Sequence, residues 1–190
     1  MNIYKNKVLV SLFLSFFVFL FSSAQDELKT LNGRIGFVSV KGMNLLEAYS
    51  ENMMLRYNTS SQTISLKVQI TSFNFTNCSK SVEKVFNEVY MESHKHHWAK
   101  FEGKVVGNIN FKEQGTYKVQ ATGKLSIHGV EKERKIDGEV LVTERSCIFR
   151  AKFPVKLSDH NIRILSEDLD RLAGEVEANV YAELTASKNP

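Results

Sequence analysis

Residues 115–130 read GTYKVQATGKLSIHGV. Tyr117, Val119, Ala121, Gly123, Leu125 and Ile127 share one parity; Lys118, Gln120, Thr122, Lys124 and Ser126 share the other. That period of two marks a strand with one apolar and one wet face. Strands of this length belong to barrels and large antiparallel sheets. Ala121 and Gly123 put two small residues mid-face, which lets a sheet bend sharply or leaves room for another group. At the strand's end Gly129 can supply the positive φ of a tight turn. A second strand is expected over 135–142. The hairpin reads as the centre of an antiparallel sheet that closes on itself.

The same alternation recurs outward from it. Ile64, Leu66, Val68 and Ile70 alternate with Thr63, Ser65, Lys67 and Gln69, and Asn58-Thr59-Ser60-Ser61 is the turn joining them to a strand over 51–57. A first strand is expected over 33–40, followed by a connection or short helix over 43–50. In 99–109, Phe101, Gly103 and Val105 point one way. Cys147, Phe149, Ala151, Phe153, Val155 and Leu157 share a face of 145–157, and Val176, Ala178, Val180, Ala182 and Leu184 share a face of 175–184. So regular a final strand implies that the C-terminus pairs back to close the sheet. One segment breaks the pattern: Val82, Val85, Phe86 and Val89 form a helical stripe within 79–97, predicting a helix over an open end or edge. A short helix or turn is expected at 166–173. The fold class that results is all-β: an eight-stranded antiparallel up-and-down barrel, lipocalin-like, with one helix between strands near the barrel mouth.

Lys5 and Lys7 precede an apolar run over 8–21, and Ser22-Ser23-Ala24 places small residues before a cut after Ala24. This is the pattern of a secretory signal over 1–24, and the run is shorter than a membrane span requires. Residues 25–190 are then one domain, periplasmic or secreted, with no stable span after cleavage. The full chain of 190 residues carries 25 basic and 21 acidic side chains; removing Lys5 and Lys7 leaves 23 against 21, a net +2. That balance excludes the basic footprint of a nucleic-acid binder. Cys78 and Cys147 allow either one disulfide or two free thiols. Asn58, Asn74 and Asn77 fit the N-glycosylation pattern, which matters only in a eukaryotic source. No nucleophile motif, phosphate loop or paired carboxylates can be placed, so no enzyme activity and no cofactor are expected. His94, His96 and His97, with His160 as a third element, invite a metal reading, but no Cys or carboxylate pattern completes a recognisable site. Solvated or lid-packing histidines, or a pH-sensitive lid, are the other readings.

Three ordered segments resemble the YceI-like family of exported lipid-binding barrels. Gly123, Leu125, Ile127, His128, Gly129 and Val130 match its G-x-L-T-I-H-G-V segment, with Ser126 for the usual Thr. Upstream, Phe86, Asn87, Glu88, Tyr90, Met91, Glu92, Ser93, Lys95, Ala99 and Phe101 match FNENYMES-x-KYP-x-A-x-F; downstream, Leu157-Ser158-Asp159-His160-Asn161-Ile162 resembles L-x-D-Y-x-I. The resemblance runs over about residues 31–185 and has the flavour of a Bacteroidetes branch. The chain departs from it at His96-His97, where the family often has Tyr-Pro near the mouth.

The resemblance implies a barrel around a long apolar channel that holds a polyisoprenoid, a quinone tail or another long-chain lipid, with no chemistry on the ligand. The inward faces then nominate Phe73, Phe101, Phe111, Tyr117, Val119, Leu125, Phe149 and Phe153 as lining residues, with Phe86 and Trp98 near the lid. The same side chains could instead fill the barrel, giving an envelope protein without a small ligand; an eight-stranded barrel is only just wide enough for either. Homodimerisation is left open.

Overall fold

A computed structural model describes residues 27–76 and 78–186. The expected signal segment and the Asn77 acceptor lie outside these. Nine strands are present among the described residues: β1 (Glu27–Lys41), β2 (Asn44–Asn58), β3 (Thr63–Gln69), β4 (Asn74–Phe75), β5 (Trp98–Val106), β6 (Gly115–Ile127), β7 (Val130–Val142), β8 (Cys147–Lys156) and β9 (Glu175–Ala186). The sheet runs β1-β9-β8-β7-β6-β5-β3-β2, and β1 also pairs with β2, so eight antiparallel strands close on themselves. The two-residue β4 lies beside β2 at Ala48 and Tyr49, beyond the point where β3 leaves it. Closure leaves the eight long strands no free edge.

The β6–β7 hairpin is continuous from Gly115↔Val142 to Ile127↔Val130. His128 (φ 51°) and Gly129 (φ 73°) form its two-residue turn, and a positive φ at both positions matches the right-handed twist of the flanking strands. Gly123 faces Gly103 of β5. A methyl on Gly123 would strike the Glu102 carbonyl oxygen and stand 2.5 Å from the Gly103 Cα. This pair lets the two strands approach closely. Shifts of register on β1 around Gly33 mark bulges, which turn a sheet into a barrel.

Two elements differ from the sequence reading. The stretch 43–50 is not a connection: β2 begins at Asn44, directly after a turn with Gly42 at φ 58°. Leu45-Leu46 interrupts the alternation, and Leu45 is 64% exposed, which hid the strand. The helix is shorter than 79–97. α1 (Lys80–Val85) continues into one π-helical turn over Phe86–Tyr90, closed by Met91 N–H on the Phe86 carbonyl at 2.9 Å. Glu92 then takes φ 41° and ends the helix, so His94 lies in a turn and His96 and His97 in the irregular stretch before β5. The expected short element at 166–173 is a 3-10 turn over Ser166–Asp168. Cys78 and Cys147 are both free thiols, and burial pushes Cys147 above its ordinary pKa.

Chain direction fixes the two ends of the barrel. The β1–β2 turn, the segment 70–97, the β6–β7 turn and the segment 157–174 share one end. The 58–62 turn, the 107–114 loop and the 143–146 turn share the other.

Candidate functional site

At the first end the wall is aromatic. Phe37 of β1 stacks on Phe86 of the helical cover with ring centroids 5.6 Å apart, and Phe73 and Phe75 pack against both. Around this cluster lies a cavity of about 720 Å³. The barrel wall contributes Val68, Ala99, Ile127 and Val176; the cover contributes Val82, Val85, Val89 and Met91; the loop after β8 contributes Leu157, Ile162, Leu165 and Leu172. A smaller hollow of about 120 Å³ lies deeper, walled by Leu55, Phe101, Val119, Leu125, Phe149 and Phe153. Ile35, Ala99, Ile127, Val155 and Ala178 line both, so the two hollows adjoin.

Polar groups gather on one side of the mouth. The Tyr90 hydroxyl of the cover donates to Asp168 Oδ2 on the opposite loop. Burial, and then this bond, push the Tyr90 phenol up to about 12. Glu167 and Arg171 stand on the same rim. The Ala173 N–H donates to the buried Ser39 Oγ at 3.1 Å, and Lys41 donates to the Leu169 carbonyl. These bonds tie the 157–174 segment to β1 and to the cover. Around the mouth Val40, Met43, Leu45, Val85, Val89 and Leu169 are exposed apolar side chains. The arrangement can take an apolar body inward and leave a polar end beside Tyr90, Asp168 and Arg171.

The sequence-nominated residues divide by position. Phe73 and Phe86 line the larger cavity; Phe101, Val119, Leu125, Phe149 and Phe153 line the deeper hollow. Phe111 and Tyr117 line neither. Phe111 comes from the 107–114 loop and packs on Tyr57, 5.9 Å between centroids, and Tyr117 donates to the Glu113 carbonyl at 3.0 Å, both at the far end. Trp98 lies outside both hollows, because its parity on β5 is opposite to Phe101; Lys67 Nζ sits 5.1 Å over its ring. Sequence reasoning missed Phe37, Phe75 and the Leu157–Leu172 side. Phe37 was available from its parity with Ile35. Phe75 lies between sequon residues and the loop has no period, so neither offered a pattern.

The three resembling segments meet at the β6–β7 turn. His128 Nδ1 lies 3.2 Å from the His160 carbonyl oxygen, and His128 Nε2 lies 3.1 Å from Glu92 Oε2. His160, buried, places its Nδ1 3.0 Å from the Val130 carbonyl oxygen, and burial pulls its pKa below the ordinary value. Lys95 and then His128 hold the Glu92 carboxyl below its ordinary pKa. His96 packs against His128, 4.5 Å between ring centroids. The four histidines weighed as a metal set from sequence do not come together. His97 Nδ1 contacts the Ser93 carbonyl at 2.7 Å, His94 is exposed, and His160 is engaged with Val130. His96 instead joins Glu92 and His128.

A closed antiparallel barrel with an apolar hollow under a helical cover defines a lipocalin-like class. Over residues 21–184 the sequence matches the YceI-like domain model, and the chain belongs to that family. A polyisoprenoid-binding domain from Saccharophagus degradans, implicated in plant cell wall breakdown, superposes with a TM-score of 0.70 at 13% identity, over 85% of this chain and 99% of that one. Burkholderia cenocepacia BcnA gives 0.66 at 18% identity, over 82% and 96%. A Campylobacter jejuni YceI protein gives 0.54 at 18%, over 72% and 81%. A comparison with curated proteins found no match. Among the described residues no helix is long and apolar enough to cross a membrane.

Proposed function

We propose that this protein is an exported carrier or buffer of a long apolar chain, a polyisoprenoid, a quinone tail or a fatty-acyl compound, bound without chemical change. The observation that carries the reading is the 720 Å³ apolar cavity adjoining the deeper hollow, a size within the usual range of ligand pockets. Family membership and the polyisoprenoid-binding neighbour support the same ligand class. The charged segment, apolar run and small residues at the N-terminus support export.

Chain length follows from magnitudes. Each buried methylene contributes about 0.8 kcal/mol. Six carbons would gain about 5 kcal/mol, which the cost of immobilising a ligand largely offsets, whereas fifteen would gain about 12 kcal/mol. Long chains are therefore held and short ones are not. The polar end lies at the mouth, next to Tyr90, Asp168 and Arg171.

Native mass spectrometry of the protein purified from its own envelope, followed by organic extraction, tests this. A stoichiometric isoprenoid or acyl compound is expected. A clean apo mass, together with no uptake of added quinone or long-chain fatty acid, would overturn the reading in favour of a barrel that works through a protein partner.

A further inference from the structure

Beside the cavity, at the β6–β7 turn, Glu92, His96 and His128 present one ligand atom each, all within 4.8 Å of one another. From this juxtaposition we propose a binding site for one divalent transition-metal ion of the zinc class, with these three side chains as ligands and a water in the fourth position. Two imidazoles and a carboxylate are a donor set zinc accepts. The proposal stands on this cluster and does not depend on the lipid reading.

The detailed geometry supports it. With its Nδ1–H donated to the His160 carbonyl, His128 turns its Nε2 towards Glu92 Oε2 at 3.1 Å. A metal ion would sit between these two ligand atoms in place of a bridging proton. A backbone carbonyl on the far nitrogen is the second contact that commonly fixes the tautomer of a metal-ligating histidine. Tetrahedral zinc at about 2.1 Å from each ligand separates them by about 3.4 Å. The Glu92–His128 pair is already near that value, and a modest swing of His96 completes it.

The His96 ring lies over Gly129: a Cβ on Gly129 would stand 2.7 Å from His96 Cε1, so a larger residue there would push the ring aside. Glu92 and His128 belong to segments that match the family pattern, whereas His96 stands where that pattern often has Tyr. The opposing feature is Lys95, whose ammonium donates to Glu92 Oε1 and competes with a metal for the carboxylate.

Bound metal would clasp the end of the cover to the β6–β7 turn. Met91, adjacent to Glu92, and Ile127, adjacent to His128, both line the larger cavity, so the clasp would fix that part of the wall.

The test titrates Zn²⁺ into chelator-stripped full chain without a histidine tag, by calorimetry and by thermal melting. One ion per chain is expected, with a rise in melting temperature because the ion binds the folded state. His96→Tyr should weaken binding at least thirtyfold and abolish the rise, while melting like the parent without zinc. Lys95→Met should tighten binding severalfold. His94→Ala with His97→Ala should leave binding unchanged. No zinc uptake, or uptake that survives His96→Tyr and is lost in the His94/His97 variant, would overturn the site.

Discussion

The two ends of the barrel both carry aromatic clusters, and they use them differently. At the far end Tyr57, fully buried, packs at a tilt on Phe149 at 5.2 Å and on Phe111 of the 107–114 loop at 5.9 Å. Tyr57 and Phe111 border neither hollow. At the mouth Phe37, Phe73, Phe75 and Phe86 pack as closely, yet they form the wall of a 720 Å³ space. The difference lies in how each cluster is covered. Tyr57 is 1% exposed between Phe149 of β8 and Phe111 of the 107–114 loop, whereas Phe86 stands on a short cover whose Val85 and Val89 remain 38% and 47% exposed. A filled end sets stability and a loosely covered end sets access.

The largest effect expected from breaking this contrast is at the filled end. Tyr57→Ala should cost about 3–5 kcal/mol of stability, the range for removing a large buried aromatic ring. Chain binding at the other end should survive at temperatures where the variant is folded. Urea melts read beside ligand titrations check both halves; a loss of affinity matching the loss of stability would mean that the ends are not separable.

Next in size is the close approach of β5 and β6, which both ends depend on. A Cβ on Gly123 would collide with the Glu102 carbonyl oxygen, and strands cannot part there without opening the barrel. Gly123→Ala should cost about 1–3 kcal/mol, as for other overpacked sites. Gly115→Ala, facing only the flexible Tyr117 ring, should cost less. Equal melting midpoints for the two variants would remove the constraint.

The same contrast explains what the sequence made legible. Strands β3, β5, β6, β8 and β9 alternate because each has one buried and one wet face, so the barrel and most of the deeper hollow were readable. The far-end side chains Phe111 and Tyr117 were assigned to a channel because apolar parity says which side of the sheet a residue faces and nothing about whether that side is filled. At the mouth, the cover was readable from Val82, Val85, Phe86 and Val89, but its early end was not, since Glu92 adopts a left-handed φ with no glycine to announce it. The loop from Leu157 to Leu172 supplies a wall through tertiary hydrogen bonds, which leave no period in sequence. His96, His128 and Glu92 come together across 36 residues, beyond the reach of spacing rules.

A third change weakens the covered end alone. Phe86→Ala removes its contacts with Phe37, Phe73 and Phe75, aromatic pairs worth about 0.5–1.5 kcal/mol each beyond burial. Because the ring is only half-buried, stability should fall by about 1.5 kcal/mol, the low end of that range for three pairs, and affinity for a long-chain ligand by about tenfold, or about 1.4 kcal/mol. Tyr90→Phe is smaller at equilibrium, since one hydrogen bond contributes about 0.5–1.5 kcal/mol. It cuts the Tyr90–Asp168 tie between cover and loop, so it should appear chiefly as faster ligand release in stopped-flow displacement. An unchanged release rate would mean that the tie does not gate the mouth.

The smallest effect separates the ends by pH. His160 sits under the β6–β7 turn, and burial holds its pKa below the ordinary 6.5 even though the Val130 carbonyl and Asp159 pull the other way; the positive charges of Arg134 and Lys132 act in the same direction as burial. The unfolded chain therefore takes up this proton at a higher pH than the folded one. As pH falls below about 6.5, the unfolded state binds more protons and stability declines; below the folded-state pKa the decline levels off, and above 6.5 there is none from this group. His96, also held low by desolvation and by His128, acts in the same window. Glu92 has the opposite sense, because its folded pKa is depressed as a carboxylate; its contribution is lost only as pH falls below 4.5. His160→Asn should thus flatten the stability profile below pH 6.5 without removing the part due to His96. The far end carries no histidine among the described residues, so Tyr57→Ala should lower the whole profile without changing its slope. Parallel slopes for the wild type and His160→Asn would place the acid sensitivity elsewhere, and a changed slope in Tyr57→Ala would couple the two ends after all.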